Sequence, residues 1–471
     1  MAICCWCCKL CTVLVVVLIV GLAIRRTFYT VTPPLPDLSN SWWGRDARGI
    51  HEDNSIGDFS VRFSSAVIND LYARLNRTKL TDSLPDVKFR YGINSETMRH
   101  IVRYWRETYN MDRAQLELNK YDNFLTKLDG IDVHFVHVKP KSSYKNVTPL
   151  LMVHGWPGSF YEFYKIIPLL TDPLAHGGKK DDPVFEIICP SIPGYGFSEA
   201  PHKEGFAGMH AARMFNELMR RLGHRHYYVQ GGDMGSLIVS EIAILYPERV
   251  KGVHVNMPIT VPNACYFTKL LVGSIFPSLV FNKDDLWKVY PLFEKMTVLL
   301  EETGHAHVHV TRPDTIGVGL SDSPAGLAAW IIEKFAVWTK LSNIHDNDGG
   351  LATQTFTLDE LLHNVMIYWV TDSITTSMRL YKGVFYSDAE HGLTRHHQVS
   401  VPSGYAAFPE ELVVYPETLV RHEYPNLVHY TDMPTGGHFA AFEQPQLLAN
   451  DIRKFAQTVE GLAASNGKEE L

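Results

Sequence analysis

Apolar residues follow three successive rhythms along this chain. From Ile3 to Ile24 they are nearly continuous, broken chiefly by Lys9 and closed by Arg25 and Arg26. As a helix that run would reach about 30 Å, enough to cross the hydrocarbon core of a bilayer. A lysine near its end can snorkel to the interface. The pattern predicts a transmembrane anchor over residues 1–26, retained because Gly21-Leu22-Ala23 is a poor cleavage site for a secretory leader. A proline-bearing stretch follows, with Pro33-Pro34-Leu35-Pro36 and the pair Trp42-Trp43, placed either at a membrane interface or against the body. Residues 61–130 then show helical spacing, as at Ile68, Leu71, Tyr72 and Leu75, and IDVHFVHVKP alternates as a strand does.

From residue 150 the rhythm changes again. LLMV, VFEIICP, HYYVQ and VKGVHV are short apolar runs, each entering a turn rich in glycine or proline, with helical segments between them. Strand and helix alternating at this spacing predict a parallel sheet covered on both faces. Sites in such sheets form beyond the carboxyl ends of the strands. Residues 259–400 abandon the alternation, are rich in aromatics, and are too long for an ordinary loop, so they read as a mainly helical inserted lid. The segment HAHVHV at 305–310 alternates as a strand would. The expected division is an anchor at 1–26, a linker and N-terminal extension at 27–148, a core at 149–258, the lid at 259–400 and the rest of the core at 401–471.

Composition adds exclusions. A hydrophobic fraction of 45% with 20% charged residues fits a globular body with a large core. A net charge of -7 and the lack of a long basic stripe exclude a nucleic-acid partner. Of seven cysteines, five crowd positions 4–11, leaving Cys189 and Cys265 for the body. That is neither a disulfide scaffold nor a metal knuckle. No metal and no cofactor are expected.

The chemistry gathers at the strand ends. Gly231-Gly232-Asp233-Met234-Gly235 lies between HYYVQ and SLIVSEI. It is a nucleophile elbow with aspartate where serine is usual, and its small neighbours suit a sharp strand-to-helix turn. A carboxylate attacks carbon without prior deprotonation and leaves an ester, which water must then cleave. His154-Gly155-Trp156-Pro157-Gly158 follows LLMV, so the backbone N–H groups of Trp156 and Met234 become the candidate oxyanion donors. His438, in Thr435-Gly436-Gly437-His438, follows the last strand in the chain order expected of a general base. Its acidic partner falls among Glu410, Glu411 and Asp432, with Asp432 crowded along its own strand. A lid phenol can donate to a leaving oxygen, and Tyr381, Tyr368 and Tyr386 are equal candidates by position.

With those residues placed, the chain resembles the microsomal epoxide hydrolases, a family that includes the juvenile hormone epoxide hydrolases of insects. HGWPGSFYEFYKIIPLL at 154–170, PSIPGYGFS at 190–198, DSPAGLAAWIIEKF at 322–335 and GGHFAAFEQP at 436–445 carry the resemblance. It implies an α/β-hydrolase fold with a helical lid, an N-terminal extension and an N-terminal transmembrane anchor in the endoplasmic reticulum, the body facing the cytosol. It implies conversion of lipophilic epoxides (xenobiotic, fatty-acid or terpenoid) and water to vicinal diols through an ester on Asp233. By the same resemblance, Glu411 orients the base His438 and Tyr381 opens the ring. The expected partners are the epoxide, water, and membrane lipid through residues 3–24. Two positions depart from the family: Met234 stands where tryptophan is usual, and His305 stands where the second lid tyrosine is expected, which makes His305 a candidate replacement for that phenol. A dehalogenase using the same aspartyl ester, and a catalytically inactive membrane lipid-binding homologue, are the competing readings.

Overall fold

The computed structural model describes residues 32–39, 41–45, 53–259, 264–352, 356–391 and 393–469. Nine strands form one sheet: β1 (Ile56–Phe59), β2 (Asn123–Leu128), β3 (Ile131–Val138), β4 (Val147–Val153), β5 (Val184–Pro190), β6 (Tyr227–Gly231), β7 (Val250–Val255), β8 (Ser403–Ala407) and β9 (Leu427–Asp432). Their order is β1-β2-β3-β5-β4-β6-β7-β8-β9. From β5 to β9 every pairing is parallel, whereas β1, β2 and β3 add an antiparallel margin. The central strands are buried on both faces, which is why LLMV and YYV read as unbroken apolar runs rather than alternations. Cys189, at the end of β5, is a buried free thiol.

The N-terminal extension buttresses the lid. Helix Ser95–Glu107 is capped by Asn94, whose side chain accepts from the Thr97 N–H at 2.9 Å. Tyr104 donates to Asp359 at 2.9 Å, and Tyr109 bonds His363 at 2.8 Å, tying this extension to the lid helix Leu358–Thr371. Trp43 settles against the body: its indole meets Phe206 and His210 edge-on at 5.1 and 4.7 Å.

Between β7 and β8 the lid is helical. Helix Pro324–Thr339 has proline in its first turn and Ser323 as its cap. Two further lid helices, Leu358–Thr371 and Ile374–His391, are parted where Asp372 turns left-handed. HAHVHV is not a strand. It forms helix Gly304–Thr311, which places His305 and His309 on one buried face and leaves His307 outside. Alternation over so few residues fits both periods when its first and fifth positions are the ones packed.

One expectation is corrected. Residues 1–26 lie outside the described residues, and among the described residues no helix is long and apolar enough to cross a membrane. The longest described helix, Pro445–Glu469, carries Asp451, Arg453 and Lys454 and packs as an amphipathic cover on the core. The fold is therefore an α/β-hydrolase with a helical lid and an N-terminal extension. The expected single-pass anchor, the lipid contact through residues 3–24 and the endoplasmic-reticulum placement that depended on it thus find no support among the described residues.

Candidate active site

β6 delivers the nucleophile candidate. Its last residue is Gly231, and two residues on, Asp233 takes φ 50° and ψ -133° just before helix Met234–Leu245 begins. That backbone is strained for any residue with a Cβ. It is held because the turn admits no alternative. A Cβ on Gly232 would lie 2.6 Å from Asn256, and one on Gly235 would strike the carbonyl of Val153 in β4. Gly235→Ala is therefore expected to cost about 3 kcal/mol or to prevent folding, since the obstacle is backbone. Thermal denaturation of the variant beside the native chain measures this.

The carboxylate of Asp233 has two unlike sides. Oδ1 accepts from the Trp156 N–H at 2.8 Å, and the Met234 N–H also bonds this carboxylate. Oδ2 faces His438, 4.0 Å from its Nε2. Burial raises the pKa of Asp233, opposed by the charge of His438 and by the two N–H donors. The Met234 side chain is buried beside it, and its identity leaves the backbone N–H untouched.

The Trp156 turn, the candidate oxyanion site, is braced from above and behind. Asn364 donates to the carbonyl of Pro157 at 2.8 Å and Tyr368 to that of Gly158 at 2.7 Å, both from lid helix Leu358–Thr371. His154 accepts from the Ile192 N–H at Nε2 (3.2 Å), so its Nδ1 carries the proton shared with the Gly155 carbonyl at 3.1 Å. Burial holds this imidazole neutral, with its pKa near about 4.

His438 follows β9 on a turn opened by Gly436 at φ 110°. Its Nδ1 bonds Glu411 at 2.8 Å. The side chain of Glu411 is wholly buried, and the same oxygen also accepts from the Leu412 N–H at 2.8 Å. Glu443 clamps the turn from below, accepting from the N–H groups of Gly437 and Phe439 at 3.0 and 2.8 Å. Burial alone would lower the pKa of His438, but the charges of Glu411, Asp233 and Glu162 and the bond to Glu411 win, pushing it up to about 9. The other two acids lie apart from this set. Among the described residues Glu410 meets this turn through its backbone, its N–H donating to the Gly436 carbonyl at 3.0 Å, and Asp432 is an exposed ion-pair partner of Lys288.

The three tyrosine candidates separate cleanly. Tyr368 spends its hydroxyl on Gly158, and Tyr386 is on the surface, 52% exposed. Tyr381 is buried, lies 6.3 Å edge-on from the Trp156 ring, and its hydroxyl makes no hydrogen bond among the described residues. Burial, with Asp233 nearby, keeps its phenol well above the usual range and hence protonated.

His305 stacks flat on Trp156, at 5.0 Å and 8°. Its Nδ1 bonds the carbonyl of Glu302 at 3.1 Å. A carbonyl only accepts, so the ring proton is on Nδ1, and burial first, then the charges of His309 and Lys334, hold the ring neutral with a pKa of about 2. Nε2 is then a lone-pair acceptor. His309, one turn on, was not legible in the sequence. It is fully buried, edge-on to Tyr381 at 4.9 Å, with neither ring nitrogen bonded.

With this geometry in view, similarity to known proteins is informative. Residues 56–163 match the family described as epoxide hydrolase N terminus, and residues 148–287 match the alpha/beta hydrolase fold family. Epoxide hydrolase 1 of Sus scrofa is 48% identical over 426 residues, covering 90% of this chain and 93% of its own. Juvenile hormone epoxide hydrolase 1 of Ctenocephalides felis is 44% identical over 477 residues, covering 98% and 100%. The chain belongs to the microsomal and juvenile hormone epoxide hydrolases. The crystal structure of the juvenile hormone epoxide hydrolase of Bombyx mori superposes with a TM-score of 0.86 at 40% identity, covering 91% of this chain and all of that one. The Aspergillus niger epoxide hydrolase follows at 0.70 and 27%, covering 86% and 97%. This epoxide hydrolase accordingly converts an epoxide and water to a diol by way of an aspartyl ester. Trp156, whose N–H meets Asp233, packs its ring against Trp338, His305 and Tyr381 of the lid, and the four form one aromatic wall.

Proposed function

We propose that Asp233, His438, Glu411 and Tyr381 divide the two steps of epoxide hydrolysis among them. Oδ2 of Asp233 attacks an epoxide carbon, the carbon–oxygen bond of the ring breaks, and Tyr381 gives its proton to the departing oxygen. A hydroxyalkyl ester results on Oδ2. The imidazolium proton of His438 restores the phenol through water, and the neutral imidazole then takes a proton from a second water as that water bonds to Cγ. Negative charge collects on Oδ1, which already rests against the Trp156 and Met234 N–H groups. Collapse expels the diol. The observation that carries this reading is the two-sided seating of Asp233, one oxygen against backbone donors and the other toward His438.

Charge makes the sequence of events self-timing. Asp233 is among the groups that raise the pKa of His438, and its charge vanishes when the ester forms. The imidazole then releases its proton more readily, so it becomes a base in the step that needs one. The aromatic wall supports lipophilic epoxides as substrates.

His305 is assigned a lesser part than a straightforward exchange for tyrosine would give it. With its proton committed to Glu302, its Nε2 cannot donate to the opening oxygen. Tyr381→Phe is therefore expected to slow ester formation by about 100-fold, whereas His305→Ala slows it by less than about 10-fold, through packing. Rapid-quench measurement of ester formation with one lipophilic epoxide compares them. Equal losses in the two variants would return His305 to the donor role.

A further inference from the structure

Beside the nucleophile, on the side of His438, lies a small cavity whose polar wall is Asp233, His438, Gln230, Asn256 and Glu162, with Phe163 and Phe439 among its apolar lining. The first two have their work. Glu162 has none in the steps above. It lies on the 3₁₀ turn Phe160–Phe163, directly after the oxyanion turn, and its carboxyl folds back so closely that a Cβ on Gly158 would collide with Oε2. Glycine at 158 is thus what lets this carboxyl reach the cavity. Glu162 is partly buried, and no described residue bonds its carboxyl. Gln230, fully buried across the cavity, donates to Asn256 at 2.9 Å and leaves its own Oε1 without a partner. An unpartnered buried acceptor and an unbonded carboxyl beside His438 form a polar pocket with the two to four partners that a held water requires.

We propose that Glu162 is a positioning residue for the hydrolytic water, holding it with Gln230 at Nε2 of His438 for attack on the Asp233 ester. The proposal rests on the ester reading above and names who seats the second reactant. The water gives one proton to His438 and its oxygen to Cγ of Asp233. Its other hydrogen is accepted, without transfer, by an oxygen of Glu162. Burial first, with the charge of Asp233 in support and that of His438 opposed, pushes the carboxyl of Glu162 up to about 8. The other titratable groups facing it, Cys189 and Tyr368, are held well above their usual ranges and stay neutral.

The test separates the two steps. Full-length native protein, Glu162→Met and Glu162→Gln are mixed with a lipophilic epoxide, quenched over a time course, and the Asp233 peptide is weighed. Methionine keeps length and removes the acceptor, so ester forms within about 3-fold of the native rate but is hydrolysed about 10- to 100-fold more slowly and accumulates. Glutamine returns an oxygen to the same place and restores hydrolysis to within about 3-fold. A merely structural role would slow both steps together and would not be rescued by glutamine, and that outcome overturns the proposal, as does native hydrolysis in Glu162→Met. If Glu162→Met does not fold, Glu162→Asp draws the acceptor back by one methylene and is expected to slow hydrolysis alone, and a native rate there also overturns the proposal. Absence of ester on Asp233 in every protein, native included, overturns the ester reading itself. Ester that forms but is hydrolysed at the native rate overturns only the part given to Glu162.

Discussion

His438→Gln is expected to turn this catalyst into a single-use acceptor. Diol production falls by about 1000-fold or more, while the peptide bearing Asp233 gains the mass of one epoxide, approaching one adduct per chain. The reason is geometric. His438 lies 4.0 Å from Oδ2, outside hydrogen-bond range, and a carboxylate needs no base to act as a nucleophile. Hydrolysis does need one. In the native enzyme the ester-cleaving step should quicken as pH rises, because only the neutral imidazole accepts a proton. The midpoint of that rise should lie below the resting value of about 9, since the Asp233 charge that helps raise it is gone from the ester. Mass spectrometry of the intact chain after exposure to epoxide decides the matter. A variant that loses turnover and gains no mass would show that His438 acts before the ester exists.

Asp233→Ala is expected to abolish both readouts, with diol formation reduced about 10,000-fold or more and no adduct at any pH. Alanine carries the same strain at φ 50° as aspartate does, so the loss of stability comes from the Trp156 and Met234 N–H groups left without their acceptor, about 1–2 kcal/mol. A melting curve distinguishes that loss from the chemical one. Residual diol near the native level in a folded variant would mean that water attacks the epoxide directly.

The sequence announced the elements whose causes are local. Gly-Gly-Asp-Met-Gly demands a tight turn, and the structure shows why in the approach of Gly235 to Val153. The apolar runs of β4 and β6 were readable because a strand covered on both faces has no reason to alternate. The choice among Glu410, Glu411 and Asp432 was not open to periodicity. It depends on where the loop after β8 meets the turn after β9, a contact between segments joined only through the sheet. The same holds for Tyr381 against Tyr368: the Tyr368 hydroxyl is spent on the Gly158 carbonyl, whereas that of Tyr381 has no hydrogen-bond partner among the described residues. The packing of His309 and of Glu162 is hidden from the sequence for a different reason. His309 sat in an alternating segment that suited a strand, and only the helix brought it round beside His305. Glu162 looked like one polar residue on an aromatic turn. Its signal was the glycine four positions earlier, which makes room for it.

The unequal seating of the Asp233 oxygens gives the product a history. In the proposed reaction Oδ1, moored to the Trp156 and Met234 amides, stays with the protein, whereas Oδ2 departs inside the diol and is replaced by an oxygen from solvent. Each enzyme molecule thus surrenders to its first product an atom it acquired when it was synthesised. Every later diol carries the atom that water left behind one cycle before, so the enzyme always runs one oxygen in arrears.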